Sequence, residues 1–237
     1  MKLLLDTADL NDIEYFCKNF PIAGVTTNPT ILAREGDDPL KRLKDIRAII
    51  GEEMELHFQL TEDGYEGMLK EARAVAAYVG GNVFVKVPAT ELGLAVMKKL
   101  AEEGYKITAT AMFSASQALA AANAGAAYVV PYVSRIENTG FSASQVVSEM
   151  QEFLDAGGFD SEILAASFKT ARQVVEAALA GAAAATAGSD ILRKLISNPA
   201  TEVSVKGFSD DWKKAFGDRT LLGMLGKEGI SKGQKHD

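Results

Sequence analysis

Along its 237 residues the chain repeatedly passes from a short apolar or β-branched run to a longer stretch of helical period. Such alternation is the sequence signal of a parallel sheet covered by helices. Eight runs are expected to be strands: residues 3–5, 24–26, 55–59, 83–87, 106–110, 128–130, 163–166 and 183–186. The last is the weakest, because alanine is a poor strand former. Between them, residues 64–79 repeat Met68, Ala72, Val75 and Val79 at helical spacing, and residues 91–103 do the same with Leu92, Ala95, Val96 and Leu100. Eight such units in one mid-sized domain favour a closed (β/α)8 barrel over an open doubly wound sheet, and no Gly-x-Gly-x-x-Gly follows the first strand to signal a dinucleotide fold. Residues 208–216, around Trp212, read as an additional C-terminal helix, so residues 1–216 are expected to form a single barrel domain. Residues 217–237, rich in Gly and Lys, are expected to form a flexible tail.

Composition narrows the partners. The net charge is −7, and its 25 basic residues are interspersed with 32 acidic ones, which leaves no basic stripe for a nucleic-acid backbone. The least polar long stretch, residues 118–133, is broken by Asn123, Gly125 and Pro131 and suits a buried helix followed by a strand rather than a membrane span. The first apolar run ends at Asp6, too early for a signal-peptide core. Cys17, the sole cysteine, cannot form an internal disulfide and reads as a packed, reduced thiol. The expected location is the cytoplasm. With only His57 and His236 present, a histidine-rich metal site and a Ser-His-Asp triad are both disfavoured. His57 reads as a satisfied interior residue.

A barrel carries its chemistry at the carboxyl ends of the strands. Those ends hold Asp6, Thr26 with Asn28, Gln59, Lys86, Thr108 with Thr110, Tyr132 and Ser167. Lys86 lies inside the apolar run Val83-Phe84-Val85-Lys86-Val87-Pro88, where an ammonium is costly unless it is neutral or paired. Two readings follow: a desolvated amine able to attack a ketone, or an ion pair with Asp6. Asp6 suits either a helix cap or a proton shuttle, and Asn28 before Pro29 suits either a helix cap or a substrate contact. Tyr132 is a packed phenol or a proton donor. Arg135, Ser167 and Lys169 are surface groups taken singly and a phosphate clamp taken together.

The stretches Leu5-Asp6-Thr7, Gly24-Val25-Thr26-Thr27-Asn28-Pro29, Val85-Lys86-Val87-Pro88, Pro131-Tyr132-Val133-Ser134-Arg135 and Ala165-Ala166-Ser167-Phe168-Lys169 resemble, in this order, the small transaldolase and fructose-6-phosphate aldolase family. The resemblance runs to about Phe216. It implies a (β/α)8 barrel in which Lys86 forms a Schiff base with a ketone and neither a metal nor another cofactor takes part. It also implies that Asp6 assists proton transfer, that Thr26 and Asn28 line the substrate hydroxyl groups with Thr108 beside them, and that Ser167, Arg135 and Lys169 hold phosphate. Transaldolases of the family tend to carry Glu, Asn and Phe where this chain has Gln59, Thr108 and Tyr132, so these positions look like the aldolase branch. Thr108 is also not the Leu associated with the aldolases. Tyr132, Gln59 and Thr110 are then positioned to hold a water that protonates the enamine carbon. The activity implied is metal-independent cleavage of fructose 6-phosphate to dihydroxyacetone and glyceraldehyde 3-phosphate. The alternatives are transaldolase and a catalytically silent sugar-phosphate-binding barrel. A homo-oligomeric ring, a pentamer or a decamer, is implied as well.

Overall fold

A computed structural model describes residues 1–36 and 38–225. By contacts the chain divides into one compact unit, Met1–Leu195, and a second that begins at Ile196, the last residue of the helix that ends the first. The first unit runs β1 (Lys2–Asp6), α1 (Leu10–Asn19), β2 (Ile22–Thr26), α2 (Pro29–Glu35), α3 (Pro39–Ile50), β3 (Glu55–Gln59), α4 (Tyr65–Val79), β4 (Val83–Pro88), α5 (Glu91–Glu102), β5 (Lys106–Met112), α6 (Ala115–Asn123), β6 (Tyr128–Pro131), α7 (Val133–Asn138), α8 (Ala143–Gly157), β7 (Glu162–Ala165), α9 (Ala171–Leu179), β8 (Ala184–Ala187) and α10 (Ser189–Ile196). All eight strands are parallel, each pairs with the next, and β8 returns to β1 with Lys2 opposite Ala184. The expected closed (β/α)8 barrel is the observed architecture.

Each expected strand is present, with small changes of boundary. The weakest, β8, is enclosed on both faces, so its tertiary setting overrides the low strand propensity of alanine. β5 continues two residues past Thr110 through a register shift, with Ala111 at φ 59°, a left-handed backbone that is uncommon for a residue other than glycine. Gly24 lets β2 lie close to β3, because a Cβ there would stand 2.4 Å from the Glu55 carbonyl oxygen. In the second unit, α11 (Pro199–Phe216) starts at Pro199 rather than at Phe208. Asn198 caps it and Pro199 supplies the preset φ of a first helical residue. Part of the stretch expected to be a flexible tail forms a helical turn, α12 (Leu221–Met224), capped by Thr220. Residues 226–237 of that stretch lie outside the described residues. Among the described residues no helix is long and apolar enough to cross a membrane.

Two hydrophobic layers hold the barrel. The larger fills the space between strands and helices, from Leu5 and Val25 to Met97, Ile107 and Ile163. The smaller lies inside the strands and contains Leu4, Phe84, Tyr128, Val130, Leu164 and Ala184. A charged cluster closes the amino-terminal end. Lys2, Glu55, Tyr128 and Glu162 are the first residues of β1, β3, β6 and β7. The Lys2 ammonium donates to Tyr128 Oη at 2.8 Å and to Glu162 at 3.1 Å, and Tyr128 donates to Glu55 at 3.2 Å. His57 sits above them with no solvent exposure, stacked on Phe84 at 4.5 Å between ring centroids. Burial lowers its pKa to about 4, although Glu55 beside it acts in the opposite direction.

Between pH 6.5 and about 4 the unfolded chain protonates this histidine while the folded one does not, so folding stability rises with pH across this window and is lost as pH falls through it. The contribution is on the order of 3 kcal/mol. In His57→Phe, which preserves the stack on Phe84, denaturant titrations at pH 7, 6, 5 and 4 are expected to give a shallower pH slope than the parent protein. Parallel slopes would contradict the neutral assignment.

Candidate active site

The carboxyl ends of the strands open into a cavity of about 630 Å³, lined by Asp6, Asn28, Gln59, Tyr132, Arg135, Ser167 and Lys169 among others. Lys86 lies within the barrel and is only 5% exposed. Its Nζ donates to the Thr27 carbonyl oxygen at 2.8 Å. Burial lowers its pKa, and the negative charge of Asp6 counters that only in part. The two side chains do not form the ion pair that the sequence left open. Asp6 instead accepts from the Thr26 hydroxyl at 2.6 Å. The amine is thus desolvated and hydrogen bonded without a carboxylate partner at contact distance. That is the state in which a lysine becomes nucleophilic near neutral pH.

Local structure explains how each group reaches the site. Gly93, in the first turn of α5, is required by close packing of that helix under the end of β4, since a Cβ there would meet the Pro88 carbonyl oxygen at 1.9 Å. Thr26 is buried and shares a 2.6 Å contact with the Thr186 hydroxyl of β8, so Asp6, Thr26 and Thr186 form a row across three adjoining strands. Tyr132 follows β6 directly and bridges to Ala166. Its ring is held between the Arg135 guanidinium, 4.8 Å from the ring centroid, and Phe113 at 6.0 Å. Its hydroxyl lies 3.1 Å from that of Thr110. Ser167 adopts φ 64°, a left-handed conformation at the cavity wall that costs on the order of 1–3 kcal/mol for a residue other than glycine.

The cationic side of the site is distinct. Among the described residues the guanidinium of Arg135, the ammonium of Lys169 and the hydroxyl of Ser167 face the cavity without a protein hydrogen-bond partner. Arg135 comes from α7, directly after β6, and Ser167 and Lys169 from the loop after β7, while Gly188 and the first turn of α10 line the same cavity. Cationic groups with unused N–H donors beside a helix start suit a phosphate group. No three His, Cys, Asp or Glu side chains among the described residues converge as metal ligands.

Of the expected residues, Thr26, Lys86 and Thr110 are buried and do not themselves line the cavity, and Thr108 and Asn28 have further placements of their own. Thr108 is fully enclosed and does not line the cavity; its hydroxyl lies 2.8 Å from His57 Nδ1. Asn28 lines the cavity, but its Oδ1 also accepts from the Ile31 amide at 3.0 Å and so caps α2. The structure adds Thr186, Arg34 and Asp190. Thr186 ends an alanine-rich run that carries no chemical signal of its own. Arg34 stands one helical turn beyond Thr30, and that i, i+4 spacing to a lining residue was the available clue.

Asn28→Ala is expected to cost about 1 kcal/mol through loss of the cap, seen as a fall of about 2–4 °C in melting temperature. An unchanged melting temperature would mean that the cap carries no energy.

In comparisons with known proteins, residues 3–230 match the family profile described as Transaldolase/Fructose-6-phosphate aldolase. A curated protein of Streptococcus pneumoniae, described as probable fructose-6-phosphate aldolase, is 42% identical over 213 residues, which is 90% of this chain and 96% of that protein.

Proposed function

We propose, because the chain belongs to the transaldolase and fructose-6-phosphate aldolase family, that it is a metal-independent class I aldolase. It cleaves D-fructose 6-phosphate reversibly to dihydroxyacetone and D-glyceraldehyde 3-phosphate. The observation that carries this reading is the buried Lys86 amine, free of any contacting carboxylate, beneath a cavity whose other side presents Arg135, Lys169 and Ser167.

Lys86 Nζ adds to the C2 carbonyl of the open-chain sugar. The carbonyl oxygen takes up protons and leaves as water, giving an iminium at the lysine nitrogen. A base removes the proton of the C4 hydroxyl, a role Asp6 supplies from the end of β1. The C3–C4 bond breaks, its electrons pass into the iminium, and the aldehyde phosphate departs. The remaining enamine takes a proton at C3, and water then hydrolyses the iminium to free dihydroxyacetone and Lys86.

Protonation of the enamine separates an aldolase from a transaldolase, which keeps the enamine for a second aldehyde. The paired hydroxyls of Tyr132 and Thr110 support an aldolase. Gln59 faces the same cavity with no protein partner for its amide among the described residues. Together these three groups hold a water that delivers the proton. Thr26 and Asn28 orient substrate hydroxyl groups, and Ser167, Arg135 and Lys169 bind the phosphate. The free Cys17 thiol supports a reducing, cytoplasmic setting. Exposed Val203, Val205 and Phe208 on α11 support association of copies into a homo-oligomer.

Purified protein given fructose 6-phosphate alone, with a chelator, is expected to release both products over many turnovers. Release that stops near one equivalent per site until an aldehyde is added would identify a transaldolase instead. Lys86→Met is expected to abolish turnover without unfolding the barrel, and normal turnover by that variant would refute the Schiff-base scheme. Tyr132→Phe is expected to slow cleavage by about 10²-fold and to spare transfer to an added aldehyde. Equal losses would remove Tyr132 from its role.

A further inference from the structure

The charged cluster at the amino-terminal end of the barrel does not stop at its floor. Glu55, the first residue of β3, accepts from Tyr128 and from Lys2, and its second oxygen lies 3.2 Å from His57 Nε2. Burial alone would raise the Glu55 carboxyl, but the bond from His57 and the charge of Lys2 outweigh it and hold the group below the ordinary carboxylate range. An ionised carboxylate only accepts hydrogen bonds, so the His57 proton resides on Nε2. With the ring neutral, Nδ1 is left as an acceptor. The atom 2.8 Å from Nδ1 is the Thr108 hydroxyl oxygen, and that hydroxyl must therefore be the donor.

A threonine hydroxyl has one proton, and here His57 takes it. Whatever else meets the Thr108 oxygen meets lone pairs. Thr108 on β5 is the register partner of Lys86 on β4, and adjacent strands stand about 4.8 Å apart. Both side chains point into the barrel and both are buried. Nζ itself donates to the Thr27 carbonyl oxygen, so the Thr108 hydroxyl is a fixed dipole on the adjoining strand and not a hydrogen-bond partner of the amine; in a water-poor interior such dipoles act most strongly on charge that develops during reaction.

We propose that Glu55 and His57 are positioning residues that lock the Thr108 hydroxyl with its lone pairs toward Lys86, and that this orientation stabilises the positive charge formed on the lysine nitrogen in the iminium. The proposal rests on the Schiff-base reading of Lys86 and extends it to a chain of side chains none of which touches substrate. It also gives a role to a histidine, a glutamate and a threonine that share the barrel interior with the apolar layer of Leu4, Phe84, Val130 and Leu164.

The test is borohydride trapping of the full-length protein at increasing dihydroxyacetone concentration, read as the concentration that gives half-maximal labelling. Thr108→Val keeps the shape and removes the dipole. It is expected to raise that concentration about tenfold, a loss typical of one hydrogen-bonding group. Thr108→Ser is expected to recover most of the loss. His57→Phe is expected to shift saturation in the same direction, and the double variant no further than the larger single effect, because both act through one hydroxyl. This readout is not moved by a general loss of stability. Trapping of Thr108→Val at the parent concentration, or single effects that multiply in the double variant, would overturn the proposal. If His57→Phe does not fold, the contrast of Thr108→Val with Thr108→Ser decides alone. Failure of the parent protein to be trapped at all would overturn the Schiff-base reading itself, and the proposal with it.

Discussion

Closing eight strands into a barrel removes water from the inward face of every strand, and Lys86 stands on that face. An ammonium there loses most of its hydration, and the compensation it finds is limited to the Thr27 carbonyl and the field of Asp6. Much of the surrounding architecture follows from this imbalance. Asp6 is anchored by Thr26, and Thr26 in turn meets Thr186, so the carboxylate is held by neighbouring hydroxyls and kept out of direct contact with the amine. A shorter approach would restore the ion pair and quench the nucleophile. Positive charge instead stands on Arg135 and Lys169, which line the same cavity and can meet the anionic end of a substrate.

The two ends of the barrel divide their tasks. At the amino-terminal end Lys2, Glu55, Tyr128, His57 and Glu162 satisfy one another. At the carboxyl end Gln59, Arg135, Ser167 and Lys169 face the cavity with side chains that have no protein hydrogen-bond partner among the described residues, and Ala111 and Ser167 are held in left-handed backbone conformations. Polar groups that are complete among themselves confer rigidity, while incomplete ones are available to a ligand. The His57–Thr108 contact joins the two ends.

The barrel was legible in the chain because its signal is periodic. Strand runs such as that around Lys86 and helices such as α4 each carry their own pattern, and only boundaries shifted, as at β2 and β5. The lysine was legible for a different reason: a charge within an apolar run contradicts its surroundings and demands an explanation. What remained hidden depended on pairing across the barrel. No spacing along the chain links Thr26 to Thr186, or His57 to Thr108, because closure of the sheet and the stagger of its strands set those contacts. The choice between an Asp6–Lys86 ion pair and a separated pair likewise turns on side-chain geometry at the ends of β1 and β4. The start of α11 was misplaced because its first turns have no strong apolar period, although Asn198 and Pro199 carried a capping signal.

The proposed chemistry turns on the protonation of one amine. Its most direct test is a nuclear magnetic resonance titration of the Lys86 side-chain nitrogen in selectively labelled protein, assigned by its loss in the Lys86→Met variant. Lys86 is expected to titrate below the ordinary lysine value of 10.5 and to fall further in Asp6→Asn, since Asp6 is the charge that opposes the effect of burial. A Lys86 that titrates at or above 10.5 would contradict that chemistry.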